Sequence, residues 1–299
     1  MANHKYREGK KKITVALVMS GGGARGFAHL GVLHVLEEYR IPIDLVVGAS
    51  FGSIVAGYYA YGYSSTSLID KVKGFQLWTG KDHKKTRHGY LIGDKLEEIF
   101  RHDLDDINIE NLKIPVFILA ADITKGEMVV FKDGPLCMAM RASASFPGLF
   151  DPLLYKGHLY IDGGILNSML LNIAAEHGAD LIIFSDVSIF GIIYKKKYLN
   201  FFLNVVLKFI PSRRYKPVKK PENITLIHLL PRILFLVEKH KKQCEIYRKT
   251  LPDFIIEPAV DGIRPLDFDK FDAVYKLGRD AALKQIDKIV KLVHKSNSK

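Results

Sequence analysis

With 299 residues the chain can bury a substantial core as one large α/β domain, and 48% hydrophobic with 25% charged residues excludes wholesale disorder. Two cysteines, Cys137 and Cys244, build no disulfide framework, and no stretch reaches the ~18 uninterrupted apolar residues of a membrane span. The net charge of +12, from 44 basic and 32 acidic side chains, points to an anionic partner surface.

Residues 1–12, MANHKYREGKKK, read as a basic flexible tail. The apolar residues 13–19 that follow run into glycines rather than a cleavage site, so they read as a buried strand and not a signal peptide. Ser20-Gly21-Gly22-Gly23-Ala24-Arg25-Gly26 then turns the chain. Phe27, Leu30, Leu33 and Leu36 recur at helical spacing through residue 39, with Gly31 leaving room for a close neighbour. A glycine turn opening a helix aims several N–H groups into one space, which suits a phosphate or a developing oxyanion. The turn also spells the dinucleotide fingerprint GxGxxG, which needs an acid closing the second strand about twenty residues on. Asp44 opens that strand instead, and Gly48-Ala49-Ser50 stands where the acid belongs, which argues against a nicotinamide cofactor.

Residues 43–62 carry a short apolar run, then Gly48-Ala49-Ser50-Phe51-Gly52, then a helical segment. A GxSxG hinge between strand and helix holds its serine in a strained turn with the hydroxyl clear, and small neighbours let the two elements approach. Two strand, turn and helix units in succession make a parallel sheet with both turns at its carboxyl edge, which places Ser50 near the turn amides.

Together, GGGARGFAHLGVLHVLEE and GASFGSIVAG resemble the opening of the patatin-like phospholipases. Asp162-Gly163-Gly164 stands where that family carries Asp-Gly-Gly or Asp-Gly-Ala, and Arg141-Ala142-Ser143-Ala144-Ser145-Phe146-Pro147-Gly148 resembles its approach to that motif. Residues 121–127, 178–186 and 266–268 keep the family's order, so the resemblance covers about residues 13–290. It implies a three-layer α/β/α sandwich with a mostly parallel central sheet, a single domain over 13–293. It further implies Ser50 as nucleophile, Asp162 as its base with no histidine, and an oxyanion hole within Gly21, Gly22, Gly23, Ala24, Arg25 and Gly26. Gly48, Gly52, Gly163 and Gly164 are the small residues supporting the motifs. The substrate implied is a phospholipid or lysophospholipid ester, cleaved through an acyl-enzyme without cofactor or metal. The alternative is a catalytically weak lipid-binding or membrane-tethering protein on the same fold. Two departures stand out: Asn167-Ser168-Met169-Leu170 lacks the family's prolines, and Phe51 replaces a small residue, its ring expected to crowd or line the acyl site.

In the second half, residues 181–187 read as another buried strand. Residues 191–220 hold nine lysines and arginines and no acid, a stretch suited to anionic lipid rather than nucleic acid. Within it, 198–210 is apolar except for Asn200, Asn204 and Lys208, one narrow polar stripe. At ~1.5 Å per residue it spans only ~20 Å, so it is either buried core or, as the basic flanks favour, a helix in a membrane surface with Lys195, Lys196, Lys197, Arg213 and Arg214 at the headgroups. Residues 224–242 are apolar around Pro231, either one kinked helix or two pieces. Residues 254–256 read as a short strand, 271–293 as a helix and 294–299 as a tail.

Rival site residues have plainer readings. Ser20 and Ser53 suit turn and helix roles, Asp122 and Asp186 suit capping, and His29 and His34, five apart, lack a shared metal's spacing and read as surface or half-buried. Arg25 is read as steadying the loop, meeting a lipid phosphate, or standing exposed. A triad would need His158 beside Asp162, or His228 or His240 in a late loop. Cysteine usage and basic surface point to a cytoplasmic chain at a membrane periphery, its oligomeric state open.

Overall fold

The computed structural model describes residues 13–76, 93–164, 169–188, 229, 232–233, 236 and 251–297. The 1–12 tail, the 191–220 stretch, Asn167, Ser168, His228 and His240 lie outside the described residues.

In chain order the elements are β1 (Val15–Met19), α1 (Phe27–Glu38), β2 (Leu45–Ala49), α2 (Phe51–Tyr61), α3 (Ser65–Gln76), α4 (Asp94–Leu104), β3 (Val116–Asp122) and β4 (Glu127–Phe131). They continue with α5 (Leu136–Ser143), β5 (Leu153–Tyr155), β6 (His158–Asp162), α6 (Leu170–Glu176), β7 (Leu181–Ser185), β8 (Phe254–Ile256) and α7 (Phe271–Asn297). Among the described residues eight strands form one sheet paired in the order β5-β6-β3-β2-β1-β7-β8, with β4 also on β3. β1, β2, β3, β7 and β8 pair in parallel, whereas β4, β5 and β6 are antiparallel.

β1 is apolar throughout because it is covered on both faces. Val15, Leu17 and Met19 enter a core with Phe27, Leu30 and Leu33 of α1, Ile54 of α2 and Val274 of α7. Ala16 and Val18 point the other way, to Leu170, Ile173 and Ala174 of α6. Helix, sheet and helix thus make the three layers. The strand expected from residue 13 begins at Val15, and Thr14 just before it is tied to the residue that precedes β7, its N–H donating to Asp180 Oδ2 at 2.9 Å. At the other end α7 continues to Asn297, past the tail boundary drawn at 294.

The register around β3 positions the site. Ile118 pairs with Gly48 of β2 and Phe131 of β4, which must therefore occupy opposite edges of β3. Ala120 pairs with Val129 of β4 and Asp162 of β6. β6 accordingly shares an edge with β2, the two abutting end to end. β2 ends with Ala49 opposite Leu119, and β6 ends with Asp162 opposite the next residue, Ala120.

Candidate active site

That junction brings Ser50 and Asp162 together. Ser50 leaves β2 with φ 53° and ψ −128°, a left-handed conformation that costs a residue with a Cβ roughly 1–3 kcal/mol. The surroundings hold it there. Its N–H donates to Ser143 Oγ at 2.8 Å, and Ser143 Oγ donates in turn to the Leu119 carbonyl at 2.7 Å. Ser53 Oγ donates to the Ser50 carbonyl at 2.6 Å. The flanking glycines are steric: a Cβ on Gly48 would lie 2.5 Å from the Gly52 carbonyl oxygen, and one on Gly52 would lie 2.4 Å from that of Met19.

Ser50 Oγ donates to Asp162 Oδ2 at 2.5 Å, while Gly164 N–H donates to Asp162 Oδ1 at 2.6 Å. Asp162 is 1% exposed. Desolvation pushes its carboxyl up to about 7, against the opposing pull of the hydrogen bonds from Ser50 and Gly164. The strand end is tied down as well, because Asp162 N–H donates to the Ser145 carbonyl at 3.0 Å. Buried Arg141 holds that segment, its Nη1 on Ser145 Oγ and its Nη2 on the Asp151 carbonyl at 3.0 Å. Ser143, Ser145 and Arg141 thus support the pair; their sequence signal was the Arg-Ala-Ser-Ala-Ser run, which carries no indication of which atom each one holds.

The glycine turn lies against this pair. A Cβ on Gly21 would come within 2.9 Å of Ser50 Cβ and 3.0 Å of Gly164 Cα, so the Cα of Gly21 packs directly on the site. Gly23 takes φ +59°, turning the chain into a short 3-10 segment, Gly23–Gly26, ahead of α1. The six expected oxyanion residues are not equivalent. Ala24 N–H donates to the Pro265 carbonyl at 2.8 Å and Arg25 N–H to that of Gly22 at 3.3 Å, so neither amide is available to an oxyanion. The Gly22 and Gly23 amides have no acceptor among the described residues. Arg25 corrects the exposed reading: it is 7% exposed, and its Nε donates to the Ile263 carbonyl at 2.6 Å. Burial draws its guanidinium below the usual value, opposed by Asp261.

Other expectations resolve plainly. His29 is not at the surface but fully buried beneath the turn. The Ser20 carbonyl can only accept, so Nε2 carries the hydrogen across their 2.8 Å contact and Nδ1 accepts from Ser185 Oγ at 2.8 Å. Desolvation keeps this imidazole neutral, with a value near 4. Ser20 Oγ accepts from Val187 N–H at 2.8 Å, a turn role. His158 is not in the Ser50–Asp162 pair: it opens the strand that Asp162 closes, and its Nδ1 meets Asp122 Oδ2 at 2.8 Å. Asp122 Oδ1 caps Thr124 N–H at 2.8 Å, and Asp186 Oδ1 caps Ser188 N–H at 2.9 Å. Phe51, whose ring was expected at the acyl site, turns it towards the glycine turn. Its ring is buried against Gly26, where a Cβ would lie 2.3 Å from the ring, and sits edge-on to Phe27 with centroids 5.2 Å apart. Among the described residues no group of three or more His, Cys, Asp or Glu could hold a metal ion, and no helix is long and apolar enough to cross a membrane.

A family model described as patatin-like phospholipase matches residues 17–175. The lysophospholipase NTE1 of Meyerozyma guilliermondii is 30% identical over 275 residues, covering 88% of this chain and 18% of that protein. Patatin-like phospholipase domain-containing protein 6 of Homo sapiens is 31% identical over 290 residues, covering 89% of this chain and 20% of that protein. The chain therefore spans about a fifth of the length of these curated relatives. VipD from Legionella pneumophila aligns in structure with a TM-score of 0.48 at 12% identity, over 92% of this chain and 67% of that one.

Proposed function

Because this chain belongs to the patatin-like phospholipase family, we propose that it is a serine acylhydrolase cleaving carboxylic ester bonds of phospholipids or lysophospholipids. The observation that carries this reading is the 2.5 Å contact between Ser50 Oγ and Asp162 Oδ2 in a site where burial sets the carboxyl near 7. An aspartate at its ordinary value of 3.8 is too weak a base to activate a hydroxyl, whereas one near 7 is matched to neutral pH.

In acylation, Ser50 Oγ attacks the ester carbonyl carbon as Asp162 Oδ2 accepts its proton. The oxyanion that forms is held by the Gly22 and Gly23 amides, a stabilisation worth about 3 kcal/mol per donor in comparable sites. Collapse of the tetrahedral intermediate breaks the bond to the glycerol oxygen, which takes the proton from Asp162 and leaves acyl-Ser50. Asp162, ionised again, then draws a proton from water; hydroxide adds to the acyl carbon, and the fatty acid departs as Ser50 recovers its hydrogen. No step requires a histidine, a metal or a cofactor. Nucleic acid has no role in this reading, and the basic 191–220 stretch serves as the contact with an anionic membrane surface. A cytoplasmic chain at the membrane periphery fits that use, its oligomeric state left open.

A fluorophosphonate should label the wild type at Ser50, with fatty-acid release from a panel of phospholipids and lysophospholipids. Both should vanish in Ser50→Ala. Equal labelling of that variant overturns the hydrolase reading, and labelling without release from any lipid transfers the substrate to another ester class.

A further inference from the structure

The glycine turn is held by a part of the chain far from it in sequence. Its outer side rests on residues 263–267, beyond the 17–175 region matched by the family model. Two main-chain acceptors there capture consecutive residues of the turn: the Pro265 carbonyl takes Ala24 N–H at 2.8 Å, and the Ile263 carbonyl takes Arg25 Nε at 2.6 Å. The fit is close, since a Cβ on Gly23 would lie 2.3 Å from the Pro265 oxygen.

The turn that presents these carbonyls is itself built around one carboxylate. Asp267 is 4% exposed. Its Oδ2 accepts from Arg264 N–H at 3.0 Å and Lys270 Nζ at 2.9 Å, and its Oδ1 accepts from Arg264 Nε at 2.8 Å. Main-chain bonds from Asp267 N–H to the Arg264 carbonyl at 3.1 Å, and from Lys270 N–H to the Asp267 carbonyl at 3.1 Å, close the bend. The bend leads directly into α7, which crosses α1 at Gly31 and Gly278, so the clamp is anchored to the helix that the glycine turn opens.

We propose that residues 263–267 are a positioning element for the oxyanion loop, with Asp267 as its positioning residue. The clamp captures Ala24 and Arg25 so that the two uncommitted amides before them, Gly22 and Gly23, stay fixed beside Ser50. Oxyanion donors work by preorganisation, so a loop free to drift stabilises the transition state less while binding the ground state almost as well. The kinetic consequence rests on the hydrolase reading above; the clamp itself does not.

The test uses the full chain and Asp267→Ala. Hydrogen exchange at the Ala24 amide should accelerate at least about tenfold as its acceptor is displaced. On p-nitrophenyl butyrate, kcat should fall at least about tenfold with KM within about twofold, and affinity for an alkyl trifluoromethyl ketone, which forms a tetrahedral adduct on Ser50, should fall in parallel. Asp267→Asn, which still accepts from the Arg264 amide, should recover most of the loss. Unchanged Ala24 exchange in folded Asp267→Ala overturns the clamp, and so does a rise in KM with kcat preserved. Should Asp267→Ala fail to fold, Arg25→Met removes the donor to Ile263 while keeping a side chain of similar length in the buried site, and the same readouts decide. A wild type with no esterase activity overturns the hydrolase reading alone, leaving the exchange result to decide the clamp.

Discussion

Asp162 carries two requirements that oppose each other. The proposed catalysis needs a carboxylate basic enough to deprotonate Ser50, and burial raises the Asp162 carboxyl by penalising its ionised form. The same burial destabilises the folded chain once the group ionises. With the folded value raised to about 7 from 3.8, the stabilising contribution is fully present below pH 3.8 and is lost as pH rises through about 7. Asp162→Asn removes this titration. The variant should lose acyl transfer, flatten the dependence of Tm on pH between about 4 and 7, and gain Tm relative to wild type above pH 7. Calorimetry across that range checks it, and a wild-type Tm that rises through pH 7 contradicts the assigned burial. Wild-type kcat/KM should rise with pH through about 7 as the base ionises. Ser50 and Asp162 were both legible as residues from their glycine-rich motifs. The supporting contacts were not, because a serine that accepts from a distant amide, such as Ser143, looks like any other serine in the chain.

At the level of elements, the site depends on two chain segments meeting on one edge of β3. β2 arrives in parallel and β6 antiparallel, and the register that sets Ala49 opposite Leu119 and Asp162 opposite Ala120 closes the gap between the side chains of Ser50 and Asp162. Apolar patterning identified β1 and α1 with nearly their observed ends, since a doubly covered strand is apolar throughout and α1, buried over most of its length, keeps Phe27, Leu30, Leu33 and Leu36 at helical spacing. That Gly31 leaves room was also readable; which element fills the room was not. The neighbour is α7: a Cβ on Gly278 would meet the Ala28 carbonyl oxygen at 2.0 Å, and one on Gly31 would meet that of Tyr275 at 2.1 Å. Gly278→Ala should therefore push the helices apart and cost at least about 2–3 kcal/mol, read from urea unfolding at constant m. Because α1 opens at the glycine turn, kcat should fall in the same variant; unchanged stability would show that the two backbones do not approach this closely.

Across the whole molecule, the first and last thirds of the chain interlock. β8 adds to the sheet beside β7, and α7 brings Phe271 to within 5.1 Å of the Phe27 ring, centroid to centroid, with Phe268 at 5.9 Å. The family match ends at residue 175, yet a chain truncated after residue 250 would expose the α1 face that α7 covers. Such a truncation should be insoluble or lack a cooperative thermal transition; a soluble, active product would show the carboxyl-terminal elements to be dispensable. The basic 191–220 stretch stays a sequence-level argument for an anionic surface, resting on charge count alone. The sequence by itself determined the buried strands, the glycine turn and the GxSxG hinge, because strand burial, tight turns and close backbone approach restrict residue type locally, while the layered class and the Asp-Gly-Gly motif were singled out by resemblance to the patatin-like phospholipases. Tertiary structure alone decided that Asp162 is driven towards neutrality, that Phe51 turns inward, and that the Ala24 and Arg25 amides are taken up while those of Gly22 and Gly23 have no acceptor among the described residues. Those outcomes depend on what packs or bonds against a group from distant parts of the chain: on desolvation, on the space left by Gly26, and on carbonyl acceptors at Pro265 and Ile263 whose main-chain atoms leave no mark in the residue code.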